Sequence, residues 1–139
     1  MPERRSDVTS RPLPQKLGIK PDGRVAVVSA PGGFLESTLQ PLPDGVEVRS
    51  RARGPLDVIV FFTRRRAELE RRFDMLVKAL DRAGALWVAW PKGASGVATD
   101  LTENAVRDVA LPKGLVDTKV AAIDDVWSGL KLVIRLENR

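Results

Sequence analysis

Residues 85–103, ALWVAWPKGASGVATDLTE, decide the fold that the sequence predicts. The apolar run at their start is typical of a buried strand, and Pro91 ends that strand. A Gly/Ser-rich loop follows. Asp100 and Glu103 then form a D-x-x-E capping box, which predicts a helix from Asp100 to about Leu111. A strand that leads through a loop into a helix is the unit that carries ligand sites in open α/β sheets.

The remaining apolar runs predict the rest of this sheet. We expect strands at residues 24–28, 46–48, 56–62, 85–90, 115–123 and 126–136, and a short helix at 34–39. Another helix is expected between Thr63, as its cap, and Gly84, as its terminating glycine. Only Asp124 and Asp125 separate the last two strands, which predicts an antiparallel hairpin. The predicted fold class is therefore α/β, a three-layer Rossmann-like open sheet of about six mostly parallel strands.

The composition restricts the chemistry that this chain can perform. Its 139 residues fit one domain, which we place at 16–139 behind a flexible N-terminal arm at 1–15. The chain has no His, Cys or Tyr, which excludes disulfides, a Ser-His-Asp triad and the commonest transition-metal ligands. No run approaches the roughly 18 apolar residues of a membrane span, and the start shows no secretory signal, so a cytoplasmic protein without membrane contact is expected.

The net charge of +5 comes with clustered arginines. A solvated basic surface and a nucleic-acid site are both consistent with such clusters. The candidate nucleic-acid residues are Arg49, Arg51, Arg53, Arg64, Arg65 and Arg66. No aromatic residues are interleaved with the first arginine group for base stacking, which weakens the nucleic-acid interpretation.

A functional rim is expected where the parallel strands end, because ligands bind open α/β sheets beyond the carboxyl ends of the strands. The loops after the strands at 24–28, 56–62 and 85–90 meet there, together with the start of the last strand. The candidate ligand-binding residues are Gly32, Gly33, Trp90, Lys92, Ser95, Gly96, Thr99, Asp100, Trp127, Ser128 and Lys131.

Each prominent residue on this rim also has a purely structural interpretation. Lys92 suits an anion pocket beside helix starts, or an ion pair with Asp100 or a hairpin aspartate. Trp90 and Trp127 could stack on a planar ligand, or fill the gap between the hairpin and the loop. Asp100, Asp124 and Asp125 do not have the spacing of a metal site. A hairpin turn explains Asp124 and Asp125 without a metal, so no metal is expected.

The C-terminal hairpin added to a parallel sheet resembles the class I methyltransferase variant of the Rossmann fold. Residues 80–88, LDRAGALWV, are similar to the helix-glycine-strand passage of that superfamily. The chain looks like a shortened version, since about seven residues join Val48 to Leu56 where a further strand and its helices would stand. That resemblance implies a glycine-rich loop after the first strand and an acidic residue at the end of the second.

The sequence departs from this pattern at three places. The loop after the first strand, residues 29–34, reads SAPGGF and does not match G-x-G-x-x-G. The second strand ends in Arg49 and Ser50, with Glu47 out of phase on an alternating strand. The loop after the third strand reads FTRR, where amino-methyltransferases carry Asn/Asp-Pro-Pro-aromatic. The cofactor is therefore left open.

Longer phrases of the sequence resemble an actinobacterial family known as domain of unknown function 3052. They are WPK at 90–92, SGVATDLTE at 95–103, WSGLK at 127–131, LGIK at 17–20 and RVAV at 24–27. The resemblance covers about residues 16–136 and implies an intracellular bacterial protein with a methyltransferase-like core. It carries over no catalytic residues.

Three functions follow as hypotheses. The lack of His and Cys and of a complete cofactor motif favours a non-catalytic binding module, whose rim at Lys92, Ser95, Asp100, Trp127 and Ser128 holds a protein partner or a small anionic ligand. The alternatives are an atypical enzyme that uses S-adenosylmethionine or a nucleotide through the loop at 31–33, and nucleic-acid binding through the arginine loops. The edge strand at 46–48 leaves a homodimer open.

Overall fold

The computed structural model describes residues 11–139. Its helices and strands are, in chain order, α1 (Leu13–Leu17), β1 (Arg24–Val28), β2 (Glu47–Arg49), β3 (Leu56–Phe62), α2 (Arg66–Ala79), β4 (Leu80–Pro91), α3 (Glu103–Ala110), β5 (Leu115–Ala122) and β6 (Trp127–Ile134). A π-helical turn at Phe34–Thr38 and short 3₁₀ turns at Gly93–Ser95, Leu111–Lys113 and Leu136–Asn138 connect them.

The six strands form one sheet in the order β2-β1-β3-β4-β6-β5. Strands β1 to β4 pair in parallel, and β6 lies antiparallel between β4 and β5, so the predicted hairpin is confirmed. The chain leaves β1 toward β2 on one side and returns to β3 on the other side of β1. The carboxyl ends of β1 and β3 therefore flank the topological switch point, where open α/β sheets bind ligands.

Helices and turns cover both faces of the sheet, which gives the predicted three layers. On one face, here the α2/α3 face, Phe73 of α2 and Val106 of α3 pack on Phe61 and Val88. On the other, the α1 face, the buried residues include Leu17, Phe34 and Leu39 with Val60 and Trp87 of the strands. Because side chains alternate along a strand, β1, β3 and β4 bury consecutive apolar residues on opposite faces.

The beginning of the domain differs from the prediction. Residues 1–10 of the predicted arm lie outside the described part of the chain, but Leu13–Leu17 form α1 and bury Leu13 and Leu17 against the sheet. The indole Nε1 of Trp87 donates a hydrogen bond of 3.1 Å to the carbonyl oxygen of Leu17. The folded unit thus begins before residue 16, because these leucines supply part of the core.

Three helix boundaries also differ from the prediction. Helix α3 begins at Glu103 with Thr102 as its cap, whose hydroxyl accepts a hydrogen bond of 3.1 Å from the amide of Ala105. Thr63 does not cap α2, which starts after Arg65. Gly84 lies within β4 rather than after α2. A side chain at Gly84 would come within 2.9 Å of the carbonyl oxygens of Leu56 and Asp57, so this glycine allows close strand contact.

Candidate functional site

The loop after β1 is an exposed part of the carboxyl rim. Ser29 and Gly33 both adopt a left-handed backbone conformation, with φ of 61° and 82°. This conformation is strained for Ser29, which has a side chain, but not for glycine. A Cβ added at Gly32 or Gly33 would meet no atom within 4 Å. Among residues 11–139, the amides of Ala30, Gly32 and Gly33 donate no hydrogen bond to a backbone carbonyl. The loop therefore offers backbone donors beside open space.

An aromatic cluster forms the floor beneath this loop. Phe34, which directly follows the glycines, packs edge-on against Phe62 at the end of β3, with ring centroids 4.8 Å apart. Trp127, at the start of β6, packs edge-on against the other side of Phe62 at 5.0 Å. Phe34 and Phe62 are buried and Trp127 is half-buried. The exposed part of Trp127 is thus the one aromatic surface of this cluster that a ligand can reach.

Across the rim, the loop between β4 and α3 is fastened to the start of α2. The Thr99 hydroxyl donates to the carbonyl oxygen of Arg64 at 2.6 Å, and the Asp100 carboxylate accepts from the amide of Arg66 at 2.8 Å. Asp100 therefore caps α2, 34 residues back along the chain, and not the helix that follows it. A shallow cavity of about 510 Å³ lies here, lined by Arg64, Arg65, Ala67, Ala98, Thr99 and Asp100.

Lys92 does not form the ion pair that its structural interpretation predicts. Within the described residues no carboxylate lies within 4 Å of the Lys92 ammonium, and the proposed ion pair with Asp100 is absent. The hydroxyl of Ser95 donates to the carbonyl oxygen of Lys92 at 2.7 Å and accepts from the amide of Val97 at 3.2 Å. With Gly96 in a left-handed conformation, Ser95 serves a local turn.

The predicted stacking wall of Trp90 and Trp127 is wrong, because the two rings lie on opposite faces of the sheet. Trp90 is buried on the α2/α3 face opposite Ser128, whereas Trp127 packs on the α1 face. Lys131 pairs with Trp87 in the middle of β4 and so lies away from the rim. Partial burial lowers the pKa of Lys131, and the nearby ammonium of Lys119 lowers it further.

Asp124 has the structural role that the turn interpretation predicts for the hairpin. The Asp124 carboxylate accepts hydrogen bonds of 2.8 Å from the amides of Val126 and Trp127. In the part of the chain that the structure describes, no group of three or more acidic side chains converges as a metal site would require.

The two arginine groups occupy different places. Strand β2 pairs only with the first three residues of β1, so Arg49 lies level with Ala26 and below the rim. Arg49, Ser50, Arg51 and Arg53 line their own cavity of about 430 Å³. Arg64 and Arg65 stand on the rim at the start of α2, in the cavity beside Thr99. The rim thus lacks the acidic residue that the methyltransferase resemblance implies after the second strand.

Sequence reasoning missed the residues that shape the rim most directly. The left-handed Ser29 has no signal in its residue type, and the contact of Phe34 with Phe62 joins segments 28 residues apart. Pro31-Gly32-Gly33 did identify the loop.

In the part of the chain that the structure describes, none of the helices has the length and hydrophobicity of a membrane span.

Comparison with solved structures identifies the fold. The chain is similar to a SAM-dependent methyltransferase from Aquifex aeolicus, with a TM-score of 0.64 and 12% identity over 97% of this chain and 99% of that one. It is also similar to the magnesium protoporphyrin IX methyltransferase of Synechocystis (TM-score 0.57, 10% identity, 96% and 79% covered). A third similar structure is a fibrillarin pre-rRNA processing protein from Methanococcus jannaschii (TM-score 0.60, 13% identity, 84% and 68% covered).

At the level of sequence, no family model and no curated protein matches the chain, so the resemblance to the actinobacterial family stays a prediction. Only residues 50–55 join β2 to β3, where the methyltransferase resemblance implies a further strand with its helices. The structural similarity nevertheless extends over nearly the whole chain. The protein therefore has the Rossmann-like fold of the SAM-dependent methyltransferases, with parallel strands and an antiparallel C-terminal hairpin.

Proposed function

We propose that this protein binds an adenosine-containing ligand, S-adenosylmethionine or an adenine nucleotide, over the loop at residues 29–33. The observation that carries the proposal is the open loop at the topological switch point. Its glycines leave space beside backbone amides that donate to no backbone carbonyl within residues 11–139. Glycines in such a loop let a ligand approach the backbone closely, and the switch point is where open α/β sheets bind nucleotides.

The fold similarity supports the enzyme alternative over the non-catalytic module predicted first. Each of the three solved structures compared above has the same core, and two of them are described as methyltransferases. Two rim residues of that first prediction have structural roles instead, since Ser95 is engaged in a turn and Asp100 caps α2. Fold alone does not give an activity, so the proposal rests on the loop.

The residues present fit only part of S-adenosylmethionine. The loop at 29–33 provides donors for a carboxylate or phosphate, and the half-buried Trp127 belongs to the aromatic cluster that Phe34 joins at the end of this loop. The end of β2 has no acidic residue for ribose hydroxyls, because Glu47 is engaged at 2.7 Å with the guanidinium of Arg49. The rim residues described above, all within residues 11–139, include no carboxylate or lysine that contacts this loop, so the proposal is one of binding, without a methyl-transfer step.

Gly32 offers a direct test. Its backbone is not left-handed and its Cβ position is open, so Gly32→Leu is expected to fold normally and to fill the space over the loop. Gly93→Leu is the matched control, because Gly93 has the same freedom but follows β4, away from the switch point. Thermal unfolding is measured with S-adenosylmethionine, S-adenosylhomocysteine, ATP and AMP, each added separately to the wild type and both variants.

The proposal expects at least one of these ligands to raise the melting temperature of the wild type and of Gly93→Leu in a dose-dependent way. At a concentration 100 times the Kd, the gain in the free energy of unfolding is about 2.7 kcal/mol. Gly32→Leu should lose that gain. A flat response of the wild type to all four ligands, or an equal response of Gly32→Leu, contradicts the proposal. The identity of the ligand that raises the melting temperature distinguishes binding of S-adenosylmethionine from binding of a nucleotide.

A further inference from the structure

The positive charge of this protein is concentrated in one segment. Residues 49–72 contain eight arginines and three carboxylates, Asp57, Glu68 and Glu70, which gives a net charge of +5. This equals the net charge of the whole chain, so all other residues together balance to zero. We propose that the surface formed by this segment, the arginine surface, binds the phosphate backbone of a nucleic acid.

The loop between β2 and β3 forms one part of the arginine surface. Arg49, Arg51 and Arg53 are exposed and line a cavity of about 430 Å³ that has no carboxylate in its wall. The guanidinium of Arg49 is held in place by Glu47 at 2.7 Å and by the carbonyl oxygen of Arg53 at 3.3 Å. A guanidinium held in this way loses little freedom when it binds a phosphate.

Helix α2 forms the other part, on the same face of the sheet. The loop packs directly on this helix, since a Cβ at Gly54 would lie 2.2 Å from the carbonyl oxygen of Ala79. Arg72 lies with its guanidinium 5.2 Å from the ring centre of Phe61, a cation–π contact near the end of β3. Arg64, Arg65 and Arg71 are exposed. The 14 residues of α2 extend over about 20 Å, which is the length of several successive phosphates.

Exposed arginines favour a polyanion over a small anion. A single ion pair at such a site is worth at most about 1 kcal/mol, so affinity requires many contacts made together. A nucleic-acid backbone presents regularly spaced phosphates that guanidinium groups bind in bidentate geometry. Phe61 and Phe62 of the segment are buried and cannot stack on bases. Binding is therefore expected to be independent of base sequence.

The test uses a fluorescein-labelled DNA duplex of about 20 base pairs and measures its Kd by anisotropy at 50, 100 and 200 mM salt. If four arginines each neutralise one phosphate, log K falls with log salt with a slope of about −3.6, and affinity drops about 150-fold over this range. Arg51→Gln/Arg53→Gln removes two of these contacts and should bring the slope to about −1.8. Both side chains are exposed, so the double variant is expected to fold normally.

The matched control is Lys20→Gln/Lys119→Gln. This variant also removes two positive charges, and both lysines are exposed. Lys119 lies on the α1 face, away from the arginine surface, because it pairs with Lys131 and Lys131 in turn pairs with Trp87. The proposal expects this control to keep the wild-type slope. The proposal is overturned if both variants reduce the salt slope equally, or if the wild type does not bind the duplex at 50 mM salt. It is also overturned if poly-glutamate displaces the labelled duplex as readily as unlabelled duplex does. The last result would assign the surface to an acidic protein partner.

Discussion

Asp100→Ala is predicted to destabilise the protein by loosening α2. The carboxylate of Asp100 accepts the amide proton of Arg66 at 2.8 Å, at the first residue of that helix. Loss of a helix cap costs about 1 kcal/mol, and loss of a negative charge at an exposed helix start costs a further 0.3–1 kcal/mol or so. The free energy of unfolding should therefore fall by about 1–2 kcal/mol. Asp100→Asn keeps the acceptor and should recover more than half of this loss.

Urea denaturation measures the change in stability, and amide hydrogen exchange identifies the helix concerned. Exchange should quicken at Arg66 and stay unchanged at Ala105, whose amide is bonded to the Thr102 hydroxyl. Asp108→Ala serves as the control, because Asp108 is exposed on α3 beyond its first turn. If Asp100→Ala leaves stability within about 0.3 kcal/mol of the wild type, or if Ala105 loses protection instead of Arg66, the assignment of Asp100 to α2 is wrong.

Three further substitutions test other parts of the structure. Ser29→Gly should raise the free energy of unfolding by about 1 kcal/mol in urea, since it relieves a left-handed backbone, and a loss of stability would contradict the strain. Trp87→Phe should cost about 1–3 kcal/mol by the same assay, because it leaves the carbonyl of Leu17 unpaired in the core, and a neutral effect would exclude that bond. Asp57→Asn tests an ion pair, since its hydrogen bonds to Arg24 lower the pKa of Asp57. That stability is present above the ordinary carboxyl pKa of about 4 and is lost as the pH falls through the lower folded value. The penalty of Asp57→Asn should therefore be present at pH 7 and shrink at pH 3, and a penalty independent of pH would refute the pair.

The sheet was predictable because its signals are local. The apolar runs at 24–28, 56–62 and 85–90 are buried on both faces, and a continuous apolar run is the pattern that such burial requires. Two residues between the last strands left a hairpin as the natural connection. The alternation of side chains along a strand also explains why Trp87 and Trp90 lie on opposite faces.

The errors arose where a distant segment determines the role of a local motif. Asp100 and Glu103 fit a capping box, but Thr102 can also cap α3, and the amide of Arg66 takes the Asp100 carboxylate. Gly84 fits a helix end, but the short spacing between β3 and β4 requires a glycine there. The strand order could be used to predict a rim where the parallel strands end, whereas the chemistry of that rim depends on contacts that join separate loops.

Backbone amide shift mapping with unlabelled ligand tests the central claim most directly. Wild-type protein labelled with ¹⁵N is titrated with whichever of ATP or S-adenosylmethionine stabilises it, or with both. Our account predicts that the largest shifts occur at Ala30, Gly32 and Gly33, with smaller shifts at the indole of Trp127, and that they saturate. Shifts confined to the arginine surface or to the cavity at Thr99 and Asp100, or no shifts at millimolar ligand, would contradict it.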